Sequence, residues 1–216
     1  MIDAGPTAPD TPVTRTGGVP LAPPGTDWPT CASCNGPMQF LAQVLLNDLD
    51  TGSRTAPTRD RGILALFACQ NDPGMCDDWA PTAGGNHAFL LPTTTDLRPL
   101  PLPHLPDDAD ETALVLGAVR AVTIEHTDQA EYDEAREAWA ARTGRPDTSV
   151  LGQFGGTPAW IQGDETPTCP RCDHPMPLAV QLEEGPHPTA MNFGGGGCAY
   201  AFTCQPCTQA LLLWQC

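Results

Sequence analysis

Short apolar runs, each bounded by glycine, proline or other turn residues, are spaced along most of this chain. Runs of this length are typical of buried β-strands. We predict strands at residues 39–46, 62–69, 87–91, 114–124, 176–182, 198–204 and 210–215. Twenty-five prolines and 21 glycines also favour many turns over long helices. The pattern indicates an α+β fold that is mostly β.

One segment has the periodicity of a helix. Asp128 is the predicted N-cap, and Glu131 three residues later completes a capping-box pattern. Tyr132 and Trp139 lie two turns apart, so we expect them to form a buried stripe on one face of this helix. Gly144 is expected to end it.

Two parts of the sequence resemble each other. Residues 17–43 align with residues 155–181 at a constant offset of 138, and 11 of the 27 aligned positions are identical. We interpret this match as an internal duplication that produced two related β-rich halves joined by a strand–helix insert. The predicted organisation is a disordered leader (1–16), a first zinc-binding repeat (17–92), a linker with an acidic end at residues 107–111 and then a strand and a helix (93–150), and a second zinc-binding repeat (151–216).

Each repeat contains two cysteine pairs with the spacing of a tetrathiolate zinc site. Zinc prefers four thiolates in a tetrahedron, and two close pairs supply two ligands each. The second repeat fits this pattern fully, whereas the last pair of the first repeat is separated by six residues that include a turn sequence. We predict two structural zinc ions, one held by Cys31, Cys34, Cys69 and Cys76 and the other by Cys169, Cys172, Cys204 and Cys207.

The cysteine pairs also allow a redox interpretation, because Cys-x-x-Cys is a motif of thiol oxidoreductases. That chemistry needs the first thiol at a helix N-terminus, and here turn-forming residues follow each pair, so structural zinc is preferred. Cys198 and Cys216 have no assigned role, and His174 is either an alternate ligand or a surface histidine. The four glycines at 194–197 lack the lysine of a phosphate-binding loop and are predicted to form a mobile turn.

The net charge restricts the kinds of molecule that the chain is expected to bind. The chain has 26 acidic and 10 basic residues, a net charge of −16, and all its basic residues are arginine. This charge disfavours nucleic acid and anionic membranes, and it favours either a basic protein partner or solubility alone. The first residues lack the features of a signal peptide, and no apolar run has the roughly 20 residues of a membrane span. We therefore expect a cytoplasmic monomer, where ten cysteines favour metal over disulfides.

Several motifs resemble a known family. Gly155-Gly-Thr-Pro-Ala-Trp-Ile-Gln162, Pro167-Thr-Cys-Pro-Arg-Cys-Asp-His-Pro-Met176 and Leu213-Trp-Gln-Cys216 resemble the bacterial YwqG-like family of unknown function. The first repeat, with Trp28-Pro-Thr-Cys-Ala-Ser-Cys34, Phe40-Leu-Ala-Gln-Val44 and Leu66-Phe-Ala-Cys69, resembles the related programmed-cell-death-2 proteins of eukaryotes. The resemblance implies a duplicated β-rich protein-binding domain without established catalytic activity. It also implies a chaperone role, since the eukaryotic relatives are thought to protect a ribosomal protein.

These observations lead to three hypotheses for function. The first is a zinc-stabilised binding module that acts like a chaperone towards a basic client. The second is an immunity or antidote protein that neutralises a toxin through the same acidic surface. The third is an unrecognised enzyme, although the five scattered histidines give no positive reason for a catalytic site.

Overall fold

The chain folds mainly into short antiparallel strands. The computed structural model describes residues 1–50, 61–72, 74–93, 96–105, 114, 116–187 and 189–216. The strands in this part of the chain are β1 (Ile2–Pro6), β2 (Arg15–Thr16), β3 (Leu21–Ala22), β4 (Gln39–Leu45), β5 (Ile63–Ala68), β6 (Asn86–Leu91), β7 (Arg98–Pro99), β8 (Arg120–Thr123), β9 (Gly152–Phe154), β10 (Leu178–Glu183), β11 (Cys198–Cys204) and β12 (Gln209–Gln215). The single α-helix of the described residues is α1 (Tyr132–Thr143). The predicted fold class, mostly β, is confirmed.

Two sheets form the body of the molecule. The larger has the strand order β1-β8-β2-β4-β5-β6, the smaller has the order β12-β11-β10-β9, and β3 pairs separately with β7. Both sheets contribute to one apolar core, for example through Val44 and Leu66 from the larger sheet and Val180 and Ala201 from the smaller. The two predicted repeats therefore pack on each other through a shared interior.

The outer face of each sheet is also apolar, because alternate side chains of a strand point to opposite faces. On the larger sheet, Phe67 packs in a cluster with Trp28 and Cys31. On the smaller sheet, Phe202 packs in a cluster with Cys169 and the half-buried Trp160. Each outer face is thus covered by the loop that carries a Cys-x-x-Cys pair.

Most predicted strands are confirmed to within two residues at either end. The exception is the run 114–124, of which only β8 is a strand, while residue 115 lies outside the described residues. The carbonyl of Gly117 accepts a hydrogen bond from the N–H of Gly18 at 2.8 Å. This contact with a neighbouring loop replaces the predicted strand pairing.

Helix α1 is confirmed, but its predicted start is wrong. Tyr132 and Trp139 are buried, and Gly144 ends the helix in the left-handed conformation with φ 67°. The N-cap residue is Glu131 rather than Asp128, and no side chain caps the first turn. Tyr132, the first residue of the helix, instead packs in an apolar cluster with Ile2 and Val150, which holds this end.

Ile2–Pro6 and Arg15–Thr16 are strands of the larger sheet, so the prediction that residues 1–16 form a disordered leader is wrong for these two segments. β1 pairs with β8, and β2 lies between β8 and β4. Ile2 is buried, and Asp3 is only 8% exposed. The prediction rested on the proline, threonine and aspartate content of the segment, which cannot show that a few of its side chains contact distant partners. The acidic end predicted at 107–111 lies outside the described residues.

An ion pair between Asp3 and Arg120 joins β1 to β8. Arg120 Nε donates to both carboxylate oxygens at 3.0 Å, and Arg120 Nη2 donates to Oδ2 at 2.6 Å. Burial alone would raise the pKa of Asp3, but hydrogen bonds from Arg120 and the N–H of Gly5, together with the charges of Arg120 and Arg145, hold it below 3.8. The native state therefore binds this proton less tightly than the unfolded chain, and the resulting stabilisation is lost as pH falls below 3.8.

We expect Asp3→Asn to lower the free energy of unfolding by about 1.5–3 kcal/mol at pH 7, because it removes a charged hydrogen-bond acceptor. The difference from the parent protein should shrink as the pH falls below 3.8. Urea unfolding at several pH values measures both effects. Asp96→Asn is the matched control, because Asp96 pairs with Arg98 at an exposed site and such pairs contribute about 0–1 kcal/mol. Equal effects of the two substitutions would contradict an ordered β1.

Candidate metal centres

The four predicted cysteines of the first repeat meet on the outer side of the larger sheet. Cys31 and Cys34 lie in the loop between β3 and β4, whereas Cys69 follows β5 directly and Cys76 lies in the next loop. All four Sγ atoms lie within 4.8 Å of one another, and 3.7 Å separates the Sγ atoms of Cys34 and Cys69. Cys34 is exposed, and the other three are buried. We call this group the first centre.

The second centre has the same arrangement on the smaller sheet. Cys169 and Cys172 precede β10, and Cys204 ends β11, one short turn before Cys207. The four Sγ atoms again lie within 4.8 Å of one another, with Cys172 and Cys204 at 3.8 Å. Cys172 and Cys207 are half-buried, so this centre is open to solvent at two ligands.

Both groups fit a tetrathiolate metal centre. A tetrahedral site with zinc–sulfur bonds of about 2.3 Å has sulfur–sulfur edges of about 3.8 Å. The separations of 3.7 Å and 3.8 Å match that edge. The two cysteine groups could therefore hold metal ions, and the wider spacing between Cys69 and Cys76 does not prevent the first from closing.

The two Cys-x-x-Cys turns have the same backbone. In each, the N–H of the first cysteine donates to the carbonyl five residues later, and the residue after the second cysteine is left-handed, which Asn and Asp tolerate better than most residues. The residues are Cys31, Gly36 (2.9 Å) and Asn35 (φ 58°) in the first centre, and Cys169, His174 (2.8 Å) and Asp173 (φ 56°) in the second. Neither pair begins a helix, so neither has the helix N-terminus that a thioredoxin-like thiol needs.

One thiol of each centre is acidified by its surroundings. For Cys34, burial opposes ionisation, but hydrogen bonds from the Gly36 N–H and the Asn71 amide lower the pKa to about 7. For Cys172, the backbone N–H and the side chain of His174 lower the pKa to about 6. Metal ligation requires thiolates, so each centre has one ligand that is easily deprotonated.

Asn71 is a residue of the first centre that the sequence did not reveal. Its Nδ2 lies 3.4 Å from the Sγ atoms of both Cys34 and Cys69, and it also donates to the carbonyl of Pro37 at 3.2 Å. Asn71 lies in the six residues between Cys69 and Cys76, for which the sequence predicts only a turn. An amide beside two thiolates disperses their charge.

A glutamine identical in both repeats holds the glycine-rich loop of each repeat against its sheet. Gln43 Oε1 accepts the N–H of Leu21 at 2.8 Å, and Gln181 Oε1 accepts the N–H of Ala159 at 3.0 Å. Leu21 and Ala159 occupy equivalent positions in the alignment of residues 17–43 with residues 155–181. Both glutamines are fully buried, at 0% and 1% exposure. The alignment shows that both segments have glutamine at this position, but it does not indicate that the side chain bonds to the loop.

The two repeats differ in the tryptophan that covers each sheet. Trp28 packs edge-on against Phe67 at 5.5 Å and donates its indole N–H to the carbonyl of Met38. In the second repeat, Trp160 lies over Tyr200 at 4.5 Å. Ala22, which aligns with Trp160, is buried and small, so the tryptophans approach their sheets from different places in the loop.

Other candidate residues have local explanations. His174 is exposed and bonds the carbonyl of Cys172 through Nδ1 at 2.8 Å, and it does not belong to the second centre. Cys198 is buried beside Gln181, and Cys216 is exposed. The N–H groups of Gly195 and Gly196 donate to the carboxylate of Glu184 at 2.9 Å and 3.0 Å, so the glycine-rich turn binds a side chain of the protein itself.

A cavity of about 480 Å³ lies beside α1. Glu125 lines it, but its Oε1 accepts the indole N–H of Trp139 at 3.1 Å and its Oε2 accepts a hydrogen bond from Arg142 at 2.6 Å. These bonds lower the pKa of Glu125, and both oxygens of its carboxylate bind side chains of the helix. A carboxylate that is engaged in this way is poorly placed to act as a general base.

The fold and its cysteines define a class of protein: two packed β-sheets, each covered by a loop that carries half of a tetracysteine centre. Among the described residues, no helix combines the length and apolarity that crossing a bilayer requires. A family model for a domain of unknown function (DUF1963) matches residues 14–206, and the chain belongs to this family. No curated protein sequence matches the chain.

Proposed function

We propose that this protein is a zinc-stabilised module that binds a basic protein or peptide, with a chaperone-like role towards that client. The observation that carries the proposal is the closed geometry of the two centres. Each has four thiols within 4.8 Å of one another, which fills a tetrahedral shell and leaves no position for substrate or water. The metal would therefore have a structural role, and the surface of the folded protein would bind the partner.

Zinc is the metal best suited to these centres. Four cysteine thiolates form a soft donor set, and a closed tetrahedral thiolate site is characteristic of structural zinc. Each zinc would connect a covering loop to the strand ends beneath it. Small sheets with modest cores often depend on such a link.

The surface charge supports a basic partner. Of 26 acidic residues, only Asp3 and Asp78 are buried among those the structure describes. Several exposed acids surround the start of α1, namely Asp128, Glu131, Asp133 and Glu134. A net charge of −16 attracts cationic partners over long range and raises their association rate. The proposed relationship to the YwqG-like and programmed-cell-death-2 families agrees with this role, since the latter are thought to protect a basic, RNA-binding client.

Retention of basic proteins on the immobilised, zinc-loaded chain tests the proposal. We expect proteins of high isoelectric point to bind from cell lysate at about 50 mM salt and to be released at about 500 mM, because salt screens exposed charges. A variant with Asp133→Asn and Glu134→Gln should retain less of the same proteins. If no basic protein is retained at low salt, the proposal is wrong. If a single toxin is retained at both salt concentrations, the antidote hypothesis replaces it.

A further inference from the structure

The first repeat contains a loop that has no counterpart in the second. Residues 77–85 join Cys76 of the first centre to β6, whereas Thr208 alone joins Cys207 of the second centre to β12. The second centre nevertheless brings its four Sγ atoms within 4.8 Å of one another, so a long connection is not needed to close a tetracysteine centre. The additional residues, which we call the Trp79 loop (77–85), are therefore available for another role.

The Trp79 loop is held in one position by contacts with both sheets. The side-chain amide of Asn86, in β6, donates to the carbonyls of Asp78 at 2.8 Å and Ala80 at 3.0 Å. The N–H of Trp214, in β12, donates to the carbonyl of Trp79 at 3.2 Å, and its indole N–H donates to Oδ2 of Asp78 at 3.3 Å. A loop that is already fixed loses little conformational entropy when a partner binds to it.

The Trp79 loop also lies directly on the start of β6. A Cβ atom at Gly85 would lie 2.2 Å from the carbonyl oxygen of Cys76 and 2.7 Å from the Cα of Asp78, so this close approach requires glycine. Because Cys76 belongs to the first centre, a metal bound there would fix the beginning of the loop. The first centre therefore supports the surface that the loop presents.

This fixed loop keeps large apolar side chains in contact with solvent. Trp79 is 41% exposed, and Met75, on the other side of Cys76 in the sequence, is 73% exposed. Exposed apolar side chains that cluster in one segment indicate an interaction site, and tryptophan is among the residues that contribute most to binding energy. The Trp79 loop is thus better suited to contact a partner than to stabilise the core.

The same turn carries two carboxylates. The N–H of Ala80 donates to the carbonyl of Asp77 at 3.3 Å, which places Asp77, Asp78 and Trp79 in one tight turn. Asp77 is exposed, whereas Asp78 is 2% exposed and its Oδ1 has no hydrogen-bond partner in the described part of the chain. An indole face close to carboxylates attracts a guanidinium group, which stacks on the ring and pairs with an acid.

We propose that the Trp79 loop binds an arginine side chain of a basic partner, with the guanidinium over the exposed Trp79 indole and its charge balanced by Asp77. This inference rests on the proposed function, because it assigns a contact site to the client. Charge complementarity selects the occupant. A second copy of this chain, with a net charge of −16, and an anionic membrane are both repelled.

The indole N–H signals in a ¹⁵N–¹H NMR spectrum report on this site directly. The chain has five tryptophans, and Trp79→Phe identifies the signal of Trp79 by its loss. The probes are three synthetic peptides of about eight glycine and serine residues, in which two positions are arginine, lysine or glutamate. We expect the arginine peptide to shift the signals of Trp79 and Trp214 in the zinc-loaded full chain most strongly, and about 500 mM salt to weaken the effect.

The lysine peptide should cause a smaller shift than the arginine peptide, because an ammonium group does not stack on a ring as a guanidinium does. The glutamate peptide should cause none. If the arginine peptide leaves the Trp79 signal in place, or shifts only other indole signals, the inference is wrong.

Matched variants separate the Trp79 loop from general electrostatics. We expect Trp79→Ala and Asp77→Asn each to weaken binding of the labelled arginine peptide, measured by fluorescence anisotropy, by about fivefold or more. Asparagine tolerates the left-handed backbone of Asp77 (φ 49°), so Asp77→Asn keeps the turn even if Trp79→Ala disturbs the loop. Ile161→Ala and Asp133→Asn are the controls and should change binding by less than about twofold.

The controls differ from the loop variants only in position. Ile161 is a similarly exposed apolar residue, at 46%. Asp133 lies on α1, which packs against Ile2 of β1 at the opposite edge of the larger sheet from β6. Equal weakening by the loop variants and the controls overturns the inference.

The lysate experiment distinguishes failure of this inference from failure of the proposed function. If Trp79→Ala retains basic proteins as well as the parent does, the Trp79 loop is not their contact site, although the proposed function stands. If the parent retains none, the proposed function itself is rejected. Sedimentation that shows a dimer of the parent, lost in Trp79→Ala, would assign the loop to a second copy and overturn the inference.

Discussion

Replacement of Cys169 by serine is expected to remove one zinc ion per chain and to cause the largest loss of stability of any single substitution considered. Cys169 is a buried member of the second centre and also contributes to the apolar cluster on the outer face of the smaller sheet. Structural zinc supplies on the order of 10–16 kcal/mol of apparent binding free energy, comparable with the whole stability of many domains. We expect the loop from Thr157 to Met176 to detach and the thermal midpoint to fall sharply.

Metal analysis and thermal unfolding measure the two effects. The parent chain should contain two equivalents of zinc, Cys169→Ser one, Cys31→Ser one, and the double variant none. Cys216→Ser is the control, because Cys216 is an exposed thiol that belongs to neither centre, and it should retain both ions. A parent chain with one equivalent that Cys169→Ser leaves in place would mean that only the first centre binds metal. Full zinc content in both single variants would refute the assignment of the ligands.

Gln43→Leu is expected to destabilise the protein by about 2–6 kcal/mol, although leucine is close in size to glutamine and more apolar. Gln43 Oε1 accepts the N–H of Leu21, and its Nε2 donates to the carbonyl of Val13 at 3.1 Å. Leucine would leave both backbone groups without these partners, and each unsatisfied buried group costs about 1–3 kcal/mol. Urea unfolding of the zinc-loaded chain measures the change.

Two further variants check this explanation. Gln129→Leu makes the same replacement at an exposed position and should change the stability by less than about 0.5 kcal/mol. Gln181→Leu removes the equivalent contact with Ala159 in the second repeat and should destabilise by a similar amount to Gln43→Leu. If Gln43→Leu behaves like the exposed control, the glutamine does not hold the loop as we describe.

The fold class and the membership of both cysteine groups could be read from the sequence because they depend on local pattern. Apolar runs such as 39–46 and 198–204 have the length of strands wherever they pack, and thiolates in close pairs favour zinc in many folds. The predicted helix start at Asp128 is wrong because the start depends on tertiary contacts and not on the local pattern alone. The start of α1 is determined by where Tyr132 and Trp139 find an apolar surface, and the cap residues alone do not decide it.

The sequence could not show which elements meet. Residues 1–16 were predicted to be disordered because they are rich in proline, threonine and aspartate, yet Asp3 pairs with Arg120, which lies 117 residues away. Asn71 lies in what reads as a plain turn, and it is significant only because Cys34, 37 residues earlier, folds back onto it. Such contacts depend on the arrangement of both sheets.

The sequence by itself determined the strand-rich character, the two cysteine groups, the acidic charge and the likeness of residues 17–43 to residues 155–181. These follow from residue type and spacing, which act over a few residues at a time. Tertiary structure alone decided that residues 17–92 and residues 151–216 share one core, that Ile2–Pro6 and Arg15–Thr16 add strands to the larger sheet, and that β6 and β12 pack side by side. Those outcomes depend on burying apolar surface between distant segments, and local sequence does not specify which segments these are.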